Sequence, residues 1–273
     1  MRFEKIIVIG SGNIALRIAK DLSSDVLGGL NFSCLSFCEK GLNLLESFCA
    51  KCGIPYQNFT QKDALDRFFE NISVQTLVIS ANNYYLFPSH IVEKQNLKII
   101  NFHNALLPNH RGYFAAMWSI FEQDKLSGIT WHCVDKKIDS GDVIYQKEIP
   151  IEDTMTFIKL VQLQIQLAFL GYLEIKPSVL EWNFTARKIS NALGKLHLKG
   201  EFPNNGYYDL AWGAEQKSAF LRSMDCGNSS VLPKARLVLD GLEYEILAYG
   251  KACECASGEI YKQIPFDLCL KRI

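Results

Sequence analysis

Three short runs of this chain, KIIVI at residues 5–9, TLVIS at 76–80 and LKII at 97–100, are apolar at almost every position. A strand with one wet face alternates apolar with polar residues. A run without alternation belongs in a sheet covered on both faces, which is a parallel sheet whose crossovers are helices. The intervening segments supply those helices. GSGNIALRIAKDLSS places apolar residues at Ile14, Leu16, Ile18, Ala19 and Leu22, and KGLNLLESFCAKCG stops at Gly53. KDALDRFFENI and SHIVEKQ read as two more, and NFSCLSF as a further strand. The expected fold class is α/β, with a doubly wound, mostly parallel sheet.

Beyond residue 110, AAMWSIFEQ reads as a helix and GITWHCVD and DVIYQKEIPI as strands. TMTFIKLVQLQIQLAFLGYLEI is a long helix whose Lys159 and repeated glutamines argue against a bilayer span. From about residue 178 the pattern changes to loops, a short helix AEQKSAFLRSM, and strands joined by turns at Asp240-Gly241 and Ser257-Gly258. This predicts a domain over 1–180 and a smaller, β-rich unit over 181–273. In the latter, Leu237, Leu239, Leu242 and Ile246 alternate with polar neighbours. They offer more apolar surface than a small unit can bury alone, so a homodimer through this region is expected.

With 29 basic and 29 acidic residues, the chain lacks the broad positive field that nucleic acid or an anionic membrane would require. The opening MRFEKIIVIGSG is too short and too quickly broken for a signal peptide, and a cytoplasmic location is expected. Nine cysteines in apolar contexts fit a reducing compartment, as small buried hydrophobes. Cys49 and Cys52 have the C-x-x-C spacing, but no second pair accompanies them to complete a metal site, and a structural role is expected.

GSGNIA, between a strand and a helix, matches G-x-G-x-x-A, a setting where backbone N–H groups hold a phosphate. Glu39, at the end of the next strand, stands where an acidic residue would grip the ribose of NAD, so an oxidoreductase is one reading. A second starts from NFHN, where Asn101 and His103 end an apolar strand, and from KKIDSGDVIYQ, which puts Asp139 on a turn before another strand. Adjacent strand ends would bring an amide, an imidazole and a carboxylate to one mouth of the sheet, a set of parts for acyl transfer. Arg111 suits either a substrate phosphate or a brace over the turn. His132, between Trp131 and Cys133 on a strand, reads as a sheet-surface residue, and His90 and His197 as ordinary surface residues.

NFHNALLPNHRG, followed by GITWH and IDSGDVI, resembles the 10-formyltetrahydrofolate-dependent formyltransferases, whose pattern is N-x-H, then L-L-P and R-G, then D-x-G. The resemblance runs from residue 1 to about 185, over a Rossmann-like domain. The Trp-His pair and short β-rich tail look most like the branch that formylates dTDP-linked amino sugars for cell-surface polysaccharides. It implies that Asn101 holds the formyl oxygen, that His103 acts at the reacting centre and that Asp139 orients it or relays protons. It also implies a pterin lying against Tyr84, Tyr85 and Leu86, and a sugar-nucleotide phosphate at Gly10, Ser11, Gly12 and Asn13, with Arg111 nearby. Formyl transfer to an amine requires neither a metal nor a covalent protein intermediate.

Overall fold

The computed structural model describes residues 3–25, 31–38, 44–189, 194–227, 232–250, 258–262 and 266–273. In chain order its first strands are β1 (Lys5–Gly10), β2 (Phe32–Phe37), β3 (Tyr56–Phe59), β4 (Thr76–Ala81) and β5 (Leu97–His103). They continue with β6 (Arg111–Gly112), β7 (Leu126–Cys133), β8 (Val143–Pro150) and β9 (Leu196–His197). Seven of these form one sheet in the order β3-β2-β1-β4-β5-β7-β8, while β6 pairs with β9 in a two-stranded ribbon. The helices are α1 (Gly12–Asp25), α2 (Leu44–Cys52), α3 (Lys62–Glu70), α4 (Ser89–Val92), α5 (Ala115–Phe121), α6 (Phe157–Leu180) and α7 (Ala214–Ser223).

Period-two alternation along the strands divides the core between the two faces of the sheet. Ile6 and Val8 of β1 pack with Ile14, Ile18 and Leu22 of α1 and with Ala168, Tyr172 and Val179 of α6. Ile7 and Ile9 turn the other way, onto Leu65 and Phe69 of α3 and Ile91 of α4. Each fully buried Ile or Leu contributes about 1.5–3 kcal/mol relative to exposure, so the unalternating runs of the sequence are used on both sides. The pairs β1–β2, β1–β4, β2–β3 and β4–β5 are parallel, as expected. β5 and β7 are antiparallel, with Asn101 opposite His132 and His103 opposite Thr130. The sheet is therefore mixed on the side that carries the N-x-H motif.

α6 is long and apolar enough to cross a membrane by length and composition. In this structure Ala168, Tyr172 and Val179 lie in the core, and buried Gln164 donates to the carbonyls of Asn104 and Gly128.

By internal contacts the chain divides into two units, one of Met1–Arg111, Gly128–Glu148 and Gln164–Lys195, the other of Gly112–Ser127, Ile149–Leu163 and Leu196–Ile273. The second holds an antiparallel sheet of β10 (Arg236–Leu239), β11 (Leu242–Gly250), β12 (Glu259–Tyr261) and β13 (Asp267–Arg272), in the order β10-β11-β13-β12. Asp240 and Gly241, both at positive φ, form the two-residue β10–β11 turn, the geometry for which Asp-Gly is suited. Leu237 and Ile246 are buried within this unit. Half of the alternating set behind the expected dimer is thus covered inside the protomer. His197, expected at the surface, is instead buried and stacked on Trp118, with ring centroids 4.3 Å apart.

Among the described cysteines, Cys34, Cys38, Cys49, Cys52, Cys133 and Cys226 are free thiols. Cys49 is buried and shares a hydrogen bond with Cys34 whereas Cys52 is exposed, so the C-x-x-C pair faces two ways. Cys269 is disulfide-bonded and departs from the expectation that the cysteines stay reduced. Cys253, Cys255, Ser257 and Glu39 also lie outside them.

Candidate active site

Antiparallel pairing of β5 with β7 brings the polar residues together. Ile100 and Phe102 point into the core with Ile129 and Trp131, so Asn101, His103, Thr130 and His132 must share the opposite face. Trp131 pins this register: its side chain is fully buried and its indole N–H donates to the Ala168 carbonyl at 2.9 Å. A one-residue slip would expose the indole and drive His132 into the core.

Asp139 comes from the turn between β7 and β8. Its backbone is left-handed, at φ 48, a conformation that short polar residues tolerate better than most. Gly141 closes the turn where a Cβ would lie 1.8 Å from the Cys133 carbonyl oxygen, so no side chain fits there. The guanidinium of Arg111 braces the same turn, donating from Nη1 to the Ile138 carbonyl at 3.0 Å and from Nε to that of Gly194 at 3.2 Å. Of the two roles open to Arg111 in the sequence, the brace is the one its contacts show.

The carboxylate thus held lies between two imidazoles. Asp139 Oδ2 is 3.4 Å from His103 Nδ1, and Oδ1 is 3.4 Å from His132 Nε2. His103 Nε2 is 2.8 Å from the carbonyl of His110, an acceptor only, so Nε2 carries the proton and Nδ1 is the site where the ring can take up another. His110 itself is left-handed, at φ 47. Thr130 fixes the loop between these histidines by donating to the Ala105 carbonyl and accepting from the Leu107 N–H. Gln146 adds a bond to the Leu107 carbonyl.

Burial pushes the His103 pKa below its usual value, against the Asp139 charge and the His110 hydrogen bond, which favour the cation. The resting ring is neutral at pH 7, not the protonated imidazole that charge stabilisation alone would suggest. An unfolded His103 takes a proton near pH 6.5 while the folded one resists, so its stabilising contribution is full above that value and lost as pH falls through the folded pKa. His103→Gln should therefore flatten the loss of unfolding free energy as pH falls below about 6.5, by up to about 1.4 kcal/mol per pH unit. Identical acid slopes in the two proteins would show that His103 is not held neutral.

The remaining expected contacts divide. Tyr84 and Leu86 are half-exposed, whereas Tyr85 is buried against Phe69 and Phe87, with its hydroxyl on Asp66. The Tyr85 backbone is engaged as well, since its N–H donates to Asn83 Oδ1 and its carbonyl accepts from Asn83 Nδ2. A ligand on this loop would meet Tyr84 and Leu86. In the glycine loop, a Cβ on Gly10 would lie 1.8 Å from the Ala81 carbonyl oxygen, so close packing of β1 on β4 already requires glycine. Ser11 Oγ and Asn82 are hydrogen-bonded to each other. Gly12, at φ 65, and Asn13 are exposed at the start of α1.

The doubly wound sheet thus carries an amide, an imidazole and a carboxylate at its strand ends, parts that group transfer can use. Residues 51–168 match the formyl transferase family model. A GDP-perosamine N-formyltransferase of Brucella melitensis is 26% identical over 170 residues, 62% of this chain and 63% of that protein. A methionyl-tRNA formyltransferase of Lactobacillus gasseri is 26% identical over 200 residues, 72% of this chain and 61% of that one. The chain therefore spans somewhat under two thirds of the length of these relatives. An N-formyltransferase of Helicobacter canadensis, solved with folinic acid and dTDP-3-aminofucose, shares the fold with a TM-score of 0.73, 15% identity and coverage of 99% and 100% of the two chains.

Proposed function

We propose that this chain is an N-formyltransferase that moves a formyl group from 10-formyltetrahydrofolate to the amine of a dTDP-linked 3-amino-3,6-dideoxyhexose. The observation that carries this reading is the convergence of Asn101, His103 and Asp139 on one face of the sheet, in the family's own segment. The sugar amine attacks the formyl carbon, and its electron pair forms the new C–N bond. The carbonyl oxygen becomes an oxyanion, which an Asn101 N–H meets as the charge develops. The ammonium proton passes to Asp139 and the neighbouring Nδ1 of His103. Collapse of the tetrahedral species breaks the bond to folate N10, which leaves with a proton returned by the same pair.

A nucleotide sugar suits this chain better than transfer RNA as acceptor because basic and acidic residues balance, leaving no field for a polyanion. The donor lies against Tyr84 and Leu86, and the substrate phosphate at the N–H groups of Gly12 and Asn13. The deciding experiment incubates the protein with 10-formyltetrahydrofolate and, in turn, dTDP-, UDP- and GDP-linked 3-amino and 4-amino sugars and methionyl-tRNA, reading formyl transfer by mass. A formylated dTDP-3-amino sugar is expected. Transfer to a 4-amino sugar alone would move the acceptor position, and transfer only to tRNA, or none with measurable NAD binding, would overturn the proposal. In the same assay Asn13→Asp should raise KM for the nucleotide sugar and leave that for the folate unchanged. An unchanged sugar KM would remove the loop from the site.

A further inference from the structure

We infer that His132 is a positioning residue that sets which way the Asn101 amide faces; the inference rests on the proposed formyl transfer. Sequence pattern alone places this histidine on an ordinary strand surface, yet its side chain is only 2% exposed and lies directly opposite Asn101 in the β5–β7 ladder. His132 Nδ1 is 2.8 Å from the Cys133 carbonyl. A carbonyl only accepts, so Nδ1 carries a hydrogen, and in the tautomer with that single hydrogen Nε2 is bare.

That bare nitrogen decides the amide. It is 3.2 Å from Asn101 Nδ2, and only the NH2 end of the amide can satisfy it, whichever way the two amide atoms are assigned. Asp139 Oδ1 is farther, at 3.4 Å, and cannot donate when ionised. One Asn101 N–H is thereby committed to His132, and the other N–H of the same nitrogen is the donor for the formyl oxygen. With the amide turned over, its carbonyl would face the developing oxyanion and repel it. His132 thus acts through Asn101, without touching the reacting atoms.

Two substitutions separate this role from simple packing. Glutamine can place an acceptor oxygen where Nε2 stands, whereas asparagine can reproduce only the Nδ1 donation to Cys133. His132→Gln is expected to keep most of the turnover. His132→Asn should lower kcat roughly tenfold to a hundredfold with both KM values little changed, because the amide loses its orientation. In an Asn101→Ala background the same His132→Asn change should cost nothing further. The reverse order of the two variants, or additive losses in the double variant, overturns the inference. Long-range proton–nitrogen spectra of the unaltered protein supply a readout independent of activity and of variant folding. They should show His132 protonated at Nδ1 and bare at Nε2, and a ring protonated at Nε2 instead would also overturn it. Failure of the parent protein to transfer formyl groups would be a failure of the proposed function, and is seen before any variant is made.

Discussion

Asn101→Ala is expected to lower turnover about a hundredfold or more, equivalent to at least about 2.7 kcal/mol of transition-state stabilisation, while the KM for the nucleotide sugar stays close to its original value. The asymmetry follows from when the contact strengthens. A ground-state formyl oxygen carries little charge and gains little from an N–H donor. The tetrahedral oxyanion carries nearly a full charge and, on the sparsely solvated face shared with buried His103 and His132, gains far more. Alanine leaves the β5 ladder intact because the lost contacts are side-chain ones, chiefly that to His132 Nε2. The melting temperature should therefore move little compared with the rate. A variant with near-normal kcat, or one whose loss lies wholly in KM, would remove Asn101 from the chemistry.

What could be read from the sequence, and what could not, follows from the range of the interactions concerned. The parallel strands were legible because Ile6 to Ile9 and Thr76 to Ala81 are buried on both faces, and burial on both faces writes itself as an unbroken apolar run. The 3.6-residue pattern of α1 was equally plain, although Ala15 rather than Leu16 completes its buried face. β3, the short run YQNF at the sheet edge, has only one buried residue and carries no such signature.

The residues whose surroundings the sequence did not show depend on pairing or turn geometry. His132 looks like a surface residue in a parallel sheet, but in an antiparallel pair T-x-H lies across from N-x-H, so the two motifs share a face. Trp131 was the available signal, because a tryptophan needs burial and thereby fixes the side on which its neighbours project. The resemblance gave the loop of Tyr85 a backbone role, and Arg111 was open between a substrate phosphate and a brace over the turn. Their side chains turn to Asp66 and to the carbonyls of Ile138 and Gly194, contacts set by chain segments 19 to 83 residues away. The glycine loop was legible as a loop but ambiguous as a site, because the approach of β1 to β4 demands glycine at position 10 with or without a phosphate.

Asp139→Asn is the other change expected to cost turnover about a hundredfold or more, and the geometry makes it a cleaner test than alanine. Position 139 is left-handed, at φ 48, and asparagine accepts that conformation where alanine would be strained. The turn itself is held by Arg111 and by the close approach of Gly141 to Cys133, neither of which the substitution touches. The chemistry is altered in two ways. The negative charge that opposes the effect of burial on His103 disappears, so the imidazole becomes still harder to protonate. The new amide can also donate to His103 Nδ1, filling the one position where that ring could receive a proton, since Nε2 is committed to the His110 carbonyl. Proton removal from the attacking amine then loses both acceptors the proposed mechanism uses, the Asp139 carboxylate and His103 Nδ1, while nucleotide-sugar binding survives. A steady-state assay paired with direct binding of the nucleotide sugar reads both quantities. Turnover close to that of the parent protein would reduce Asp139 to a turn residue and leave the proton without a route through this carboxylate.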